Sequence, residues 1–287
     1  MASLKEIKER IQSVRTTRKT TSAMKMVAAA KLHRAQRDIG ALVPYSEELR
    51  SIVTHLVSGE GVGSVPLAER REVGRATIIG FASNSTLCGA YNINTAKELI
   101  KVAKGYEALG EGVKIVTMGR RLSVELAREG VPHSEGDNHL SEHPDYASFK
   151  AMAEGLMDDF LAGRTDSVEI VYHKFLSAGT QRLVCERLLP VEMPQKDESE
   201  WNSEIPYILE PSKSALLGSI IPREVALRLY TAALSALASE HAARMMAMQT
   251  ATDNADELIK ELSVEYNKQR QQAITNELLD IVGGQTR

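Results

Sequence analysis

The sequence predicts an α/β domain flanked by two long terminal helices that pair as an antiparallel coiled coil. Three observations support this fold class. Residues 1–39 and residues 223–282 contain neither glycine nor proline. In both segments, a residue series that is mostly apolar recurs alternately every three and four positions, which is the spacing of a coiled-coil seam. Between the two segments, strand-like and helix-like stretches alternate along the chain.

The N-terminal helix is predicted over residues 1–58 and is followed by a linker over 59–74. Its seam is apolar at both ends and is interrupted in the middle by Arg18 and Lys25. The seam consists of Leu4, Ile7, Ile11, Val14, Arg18, Thr21, Lys25, Ala28, Leu32, Ala35, Ile39 and Leu42. Residues 1–37 contain ten Lys/Arg and two acids, so this segment should attract an acidic partner in a salt-sensitive manner.

The C-terminal helix is predicted over residues 223–287. Sixty helical residues would span roughly 90 Å, which is too long for the rest of the chain to cover. This helix should therefore project beyond its N-terminal partner or contact another molecule. Its predicted seam is Leu227, Tyr230, Leu234, Leu237, His241, Arg244, Met248, Ala251, Ala255, Leu258 and Leu262.

The central region, residues 75–190, alternates predicted strands and helices. This order predicts a doubly wound (Rossmann-like) sheet, mostly parallel with an antiparallel edge. A connector over 191–222 carries four prolines and leads to the last helix. Strands are expected at 75–82, 113–118, 167–173 and 182–189, and helices at 92–106, 120–129 and 146–161.

No set of residues has a credible catalytic spacing. The turn after the first strand contains a single glycine, Gly89, and neither GxGxxG nor GxxxxGK[ST] occurs, so a nucleotide site is not expected. Cys88 could act as a nucleophile at that turn, although a small buried residue is the better interpretation. His133, His139 and His143 lie near two acids and give a weak indication of a metal, but a polar loop is favoured. We therefore expect no catalytic, cofactor or metal site.

Composition and charge exclude several other classes. The 287 residues are 43% hydrophobic and 25% charged, with a formal net charge of -3. No apolar run is long enough to span a membrane, and the N-terminus lacks the apolar core of a signal peptide. Cys88 and Cys185 form no CxxC pair, which argues against a disulfide scaffold or a cysteine zinc site. The net charge argues weakly against a nucleic-acid binder.

Motifs in four parts of the chain resemble the γ subunit of F-type ATP synthases of the bacterial type. The N-terminal match comprises LKEIKERI (4–11) and TTSAMKMVAAAK (20–31). The C-terminal match comprises LASEHAARMMAM (237–248), ATDNA (251–255) and YNKQRQQAITNEL (266–278). The central matches are LCGAYN (87–92) and YILEP (207–211).

The resemblance implies a non-catalytic rotor shaft that couples proton-driven rotation of a c-ring to ATP synthesis or hydrolysis. Its implied partners are the α and β subunits of the catalytic hexamer, the ε subunit and the c-ring, with one copy of the shaft per complex and no cofactor. The implied location is peripheral, at the cytoplasmic face of the inner membrane, with no membrane insertion and no nucleic acid bound.

The resemblance also implies roles for individual residues. Met24 and Arg244 match positions that meet an acidic loop of a β subunit, and Gln271 and Thr275 match positions that contact β higher in the bore. Leu278, Leu279, Ile281 and Val282 would form the apolar tip in the bore. Lys31, Arg34, Tyr207 and Glu210 would face the c-ring and ε at the foot.

Two departures from the family pattern weaken the transfer of contacts at the foot. Asn84-Ser85-Thr86 replaces an acidic-basic-glycine run, and Leu209 stands where tyrosine is common. The regulatory cysteine insertion of photosynthetic relatives has no counterpart. Two alternatives remain open at this stage: an α/β enzyme with oligomerisation helices, and a self-assembling coiled-coil scaffold or nucleic-acid tether.

Overall fold

The structure is a computed structural model that describes residues 4–58, 65–192, 210 and 212–284. Five α-helices, one short 3₁₀ helix (Pro66–Ala68) and five strands are assigned within these ranges. The helices are α1 (Leu4–Ser58), α2 (Tyr91–Ala108), α3 (Arg120–Arg128), α4 (Tyr146–Leu161) and α5 (Lys213–Gly284). The strands are β1 (Arg75–Phe81), β2 (Gly112–Met118), β3 (Ser134–Glu135), β4 (Ser167–Ser177) and β5 (Thr180–Leu189).

The strands form one sheet in the order β3-β2-β1-β4-β5. The pairs β1–β2, β1–β4 and β2–β3 are parallel, whereas β4 and β5 form an antiparallel hairpin at one edge. This order, with helices α2, α3 and α4 between the parallel strands, is that of a doubly wound fold. The predicted fold class is therefore confirmed, including the antiparallel edge.

Apolar side chains cover both faces of this sheet, as a parallel sheet requires. On one face, Ile79 and Phe149 pack in a core with Leu229 of α5. On the other face, Ile78 packs in a second core with Leu99 of α2. The doubly wound arrangement thus fixes β4 and its hairpin against the base of α5.

The main differences from the predicted element boundaries concern α5, β3 and β4. The helix α5 begins at Lys213, ten residues before the predicted start, and contains Pro222 within it. The predicted connector over 191–222 is thus wrong for its last ten residues, because a proline removes one backbone donor without necessarily ending a helix. The strand β3 was missed because its two residues carry no periodicity, and β4 extends past the predicted end into the hairpin.

Contacts divide the chain into two compact units. One unit contains residues 1–30 and 244–287, and the other contains residues 31–243. The division of the chain into five functional segments stays a prediction. Across the described ranges, no helix combines the length and the apolar character needed to cross a bilayer.

Candidate functional site

The paired ends of α1 and α5 form the first unit. Ile7, Ile11 and Leu262 are buried together, with Val14 and Tyr266 packed around them. Both helices contribute one apolar stripe to this contact, as expected for a two-helix seam. The cluster brings buried apolar side chains of both helices together near the beginning of α1.

Polar contacts continue the seam where the apolar side chains stop. Arg18 Nε lies 2.5 Å from Asp256 Oδ1, the Thr21 and Thr252 hydroxyls lie 2.8 Å apart, and Lys25 Nζ donates to Gln249 Oε1 at 2.8 Å. In each pair the two residue numbers add up to 273 or 274. A constant sum means that the helices run antiparallel in one fixed register. The predicted antiparallel pairing is thus confirmed, and the pairs explain why Arg18 and Lys25 interrupt the apolar seam.

The register corrects two seam positions on α5. Thr252 is buried, whereas the predicted seam residue Leu258 is 39% exposed. The buried seam residues of α5 are Met248, Thr252, Ala255 and Leu262. The sequence pattern allows a step of either three or four residues after Met248, and the structure takes the step of four. Leu258 therefore faces outward from the pair.

The helix α5 extends past the described part of α1. The register places Leu4, the first described residue of α1, level with about residue 269 of α5. Residues 270–284 are helical and lie beyond that level, an overhang of about 22 Å at the standard helical rise. Leu278 and Leu279 on this overhang are 58% and 63% exposed.

Large apolar side chains on the outer faces of this unit are exposed as well. They are Met26, Val27, Met246, Leu258, Val264 and Ile274. Contiguous exposed apolar surface is typical of interaction sites, so these side chains are candidates for contact with a partner. We call these residues, together with Leu278 and Leu279, the exposed apolar set.

The residues considered for catalysis are placed in structural roles. Cys88 is buried in the core of the second unit and its Sγ lies 3.3 Å from Asn92 Nδ2, so it is the small buried residue that was favoured. The rings of His139 and His143 lie against each other at a tilt of 38°, with their centroids 5.1 Å apart. Among the described residues, no three His, Cys, Asp or Glu side chains are grouped as a metal would need.

Comparison with known proteins decides the family. A protein-family model described as ATP synthase matches residues 3–286, which is almost the whole chain. The chain belongs to the ATP synthase gamma-chain family. This confirms the resemblance seen in the sequence and the prediction of a non-catalytic subunit, the central-stalk rotor of the enzyme.

Several gamma chains are similar over their full length. The ATP synthase gamma chain of Bacteroides thetaiotaomicron is 45% identical over 295 residues, covering 99% of each chain. That of Bacteroides fragilis (strain YCH46) is 46% identical over 287 residues, again covering 99% of each chain. That of Flavobacterium johnsoniae is 40% identical over 285 residues, covering 99% of this chain and 98% of the relative.

Solved structures share the gamma-chain fold. The rotor of Euglena gracilis mitochondrial ATP synthase in rotational state 1 matches with a TM-score of 0.63 at 16% identity, covering 94% of this chain and 98% of the other. The central stalk and c-ring structure of the Tetrahymena thermophila mitochondrial enzyme matches with a TM-score of 0.55 at 20% identity, covering 81% and 99%. At these identities the likeness shows the fold.

The gamma-chain positions predicted to meet β lie on the first unit. Met24 and Arg244 are both partly exposed, and the register places Arg244 level with residues 29–30, about 8 Å along the axis from Met24. Gln271 and Thr275 are exposed on the overhang, and the Thr275 hydroxyl donates to the Gln271 carbonyl at 2.8 Å. The structure thus groups the four residues on one unit, and their contacts with β stay a prediction.

The remaining predicted positions are only partly described. Leu278 and Leu279 are exposed; Ile281 and Val282 are helical, but their side chains lie outside the described residues. Lys31, Arg34 and Glu210 are exposed, and Tyr207 and Leu209 lie outside the described residues.

The unusual turn after β1 is held by neutral polar groups. Asn84 Oδ1 accepts from the Arg120 backbone N–H at 2.9 Å, and Asn84 Nδ2 donates to the Asn138 carbonyl at 2.6 Å. The side chain therefore joins the ends of three strands without a charge. This departure from the family pattern is compatible with an ordered turn.

Sequence reasoning missed most of the exposed apolar set. Met26, Val27, Val264 and Ile274 were not selected because they fall off the three-four seam. The signal was present, since apolar residues at outward positions of a two-helix pair need a further partner.

Proposed function

We propose that this chain is the turning shaft that couples rotation of a c-ring to conformational change at the catalytic β subunits. The observation that carries the proposal is the overhang of α5, which exposes Leu278 and Leu279 beyond the partner helix. An apolar sleeve formed by the surrounding α and β subunits would cover these side chains. The family and the fold of rotor structures support this assignment.

The shaft would act by unequal contacts and not by chemistry on the substrate. A two-helix rod has different side chains on each side, so each β subunit meets a different surface as the rod turns. A rotor shifts the equilibrium between β conformations only by the difference in its contact free energy with them. The exposed apolar set and the charged groups of the first unit would supply that difference.

The family resemblance suggests roles for individual residues. Met24 and Arg244 would meet an acidic loop of β, since a guanidinium pairs with carboxylates across an interface. Gln271 and Thr275 would contact β higher in the bore, and Leu278, Leu279, Ile281 and Val282 would form the tip. Lys31, Arg34, Tyr207 and Glu210 would face the c-ring and the ε subunit. One copy would then sit peripherally at the cytoplasmic face of the inner membrane.

The decisive variant is Arg244→Glu in the assembled enzyme. Charge reversal should lower proton-driven ATP synthesis by about tenfold, because a carboxylate would repel the acidic loop instead of pairing with it. Synthesis would be measured in inverted membrane vesicles, with the amount of assembled complex determined on the same vesicles.

Lys260→Glu is the matched control, since it places the same charge change at an exposed position on the same helix. Synthesis that stays at the normal level in Arg244→Glu vesicles would remove the role assigned to Arg244. A complex that assembles and couples normally after removal of residues 270–287 would remove the role of the overhang.

A further inference from the structure

The strand β4 extends beyond its parallel neighbour β1. The last paired residues of the two strands are Val171 and Gly80, whereas β4 continues to Ser177. The described strands therefore offer no partner to this edge of β4 over residues 172–177. Buried backbone groups without a partner cost free energy, so another element has to satisfy them.

The helix α5 supplies the missing partners with two serine hydroxyls. The Phe175 backbone N–H donates to Ser235 Oγ at 2.8 Å, and the Ser239 hydroxyl donates to the His173 carbonyl at 2.8 Å. Ser235 is 8% exposed and Ser239 is 0% exposed. Because water has so little access here, these side chains are what satisfies the free edge of β4.

The spacing of the two serines matches the spacing of the strand. Residues two apart on one edge of a strand are separated by about 6.6 Å, and residues four apart on a helix by about 6.0 Å along the axis. His173 and Phe175 are two residues apart, and Ser235 and Ser239 are four residues apart. One turn of α5 therefore takes the place that a continuation of β1 would occupy.

Two further hydrogen bonds join the same stretch of α5 to the α/β domain. The Arg228 guanidinium donates to the Arg187 carbonyl of β5 at 2.8 Å, and the Tyr91 hydroxyl of α2 donates to the Ala236 carbonyl at 2.9 Å. Arg228 lies seven residues before Ser235 and so on the same face of the helix, since seven residues make nearly two turns. The four bonds thus reach β4, β5 and α2 from about three turns of α5.

These hydrogen bonds restrict an angle that apolar packing leaves freer. Ile79 of the sheet and Leu229 of α5 share one core, but the hydrophobic effect has no preferred direction. A hydrogen bond, in contrast, weakens steeply when its donor and acceptor move out of line. Rotation of the sheet around the axis of α5 would misalign the four bonds together and leave buried polar groups without partners.

We propose that Ser235 and Ser239 are positioning residues that hold the α/β domain at one angle around α5. They set the torsional stiffness between the domain and the stretch of α5 beside it, so that torque on one turns the other. This inference rests on the proposed function, in which α5 belongs to the shaft and the α/β domain is its foot.

The first test measures angular fluctuations of the domain in a complex of this chain with its α and β subunits. A probe is attached through a biotin acceptor peptide inserted at the exposed Leu109–Gly110 turn, and a non-hydrolysable ATP analogue holds the shaft stationary. Ser235→Ala with Ser239→Ala removes two of the four bonds, so the angular variance of the probe should about double as the stiffness falls.

Thr231→Val is the matched control for the double variant. Thr231 lies one turn before Ser235 on α5, and its buried Oγ1 has no hydrogen-bond partner among the described residues. Removal of this hydroxyl should leave the angular variance unchanged. An equal variance in the double variant and in Thr231→Val would overturn the proposal.

The second test compares Ser235→Thr with Ser235→Val. The two side chains have the same shape, but only threonine keeps an oxygen that accepts from the Phe175 N–H. Hydrogen exchange of the Phe175 amide should be about tenfold faster in Ser235→Val than in Ser235→Thr, and the angular variance about a third larger. Equal variances would overturn the positioning role even if exchange differs, because the bond would then only stabilise the fold.

The same probe tests the rotor assignment separately. In the unaltered complex it should turn during ATP hydrolysis, and a probe that does not turn would contradict the proposed function. The variants are compared in a stationary complex, so their result concerns only the hydrogen bonds between the domain and α5.

Discussion

At the residue scale, His173 shows how burial sets the chemistry of one group. Its side chain is 6% exposed, and its ring stacks on Tyr91 with the centroids 4.4 Å apart. The Thr95 hydroxyl donates to the Tyr91 carbonyl at 3.0 Å, so its single hydrogen is used and His173 Nδ1 must donate to Thr95 Oγ1 at 3.2 Å. The Ser239 hydroxyl donates to the His173 carbonyl at 2.8 Å and ties β4 to α5. Burial lowers the pKa of His173 to about 4.

This pKa predicts a loss of stability in acid. The unfolded chain takes up the proton near the ordinary pKa of 6.5, whereas the folded chain resists protonation until about 4. As pH falls between these values the unfolded state binds more protons, so the free energy of unfolding should decrease by up to about 3 kcal/mol. Urea unfolding at a series of pH values would measure this slope.

His173→Gln should flatten that slope, because glutamine does not titrate. His139→Gln is the matched control, since His139 lies in an exposed loop. Equal slopes in His173→Gln and the unaltered chain would show that other groups account for the acid sensitivity.

At the element scale, the two-helix unit depends on a few seam residues. Leu262 is 7% exposed and packs with Ile7 and Ile11, whereas Leu258 on the same helix is 39% exposed. The Arg18–Asp256 ion pair is almost half exposed at both side chains, so its contribution should be under about 1 kcal/mol. Apolar burial therefore holds the pair together, and the polar contacts fix its register.

Leu262→Ala should destabilise the pairing by about 2–3 kcal/mol, through lost burial and the space left behind. Leu258→Ala, the matched control, should cost less than about 1 kcal/mol because that side chain is already partly in water. Amide hydrogen exchange of residues 5–14 and 259–266 would report the local opening. Similar exchange rates in the two variants would contradict the register described above.

At the scale of the whole molecule, the overhang leaves the isolated chain with apolar surface that only a partner can cover. Leu278 and Leu279 are exposed at the far end of α5, and further apolar side chains are exposed along the unit. Such surface promotes association when the partner is missing. The free subunit is therefore expected to self-associate, and the assembled one is not.

The double variant Leu278→Ser with Leu279→Ser should decrease self-association of the purified chain. Sedimentation velocity over a range of concentrations would measure this, with helix content checked by circular dichroism. Leu109→Ser is the comparison variant, because Leu109 is 75% exposed but lies in the second unit. If Leu109→Ser decreases association as much as the double variant does, the tip is not the surface responsible.

Much of this architecture could be predicted because it depends on local signals. The period of α4 predicted its bounds at Tyr146 and Leu161, and the long stretches without glycine or proline predicted both terminal helices. The family motifs predicted the functional class that the comparisons confirmed. These signals are readable along the chain, since helical periodicity and chain breakers act on neighbouring residues.

The start of α5 at Lys213 and the two residues of β3 could not be predicted, because tertiary contacts decided them against weak or opposing local signals. The sequence pattern allows either Ala251 or Thr252 as the seam residue. The register with α1 selects Thr252. A cleft lined by charged side chains of α1, α5 and the β4–β5 hairpin shows the same limit most clearly. Arg50 and Glu224 are far apart in sequence, and only the folding of α1 and α5 against the β4–β5 hairpin brings them to one site.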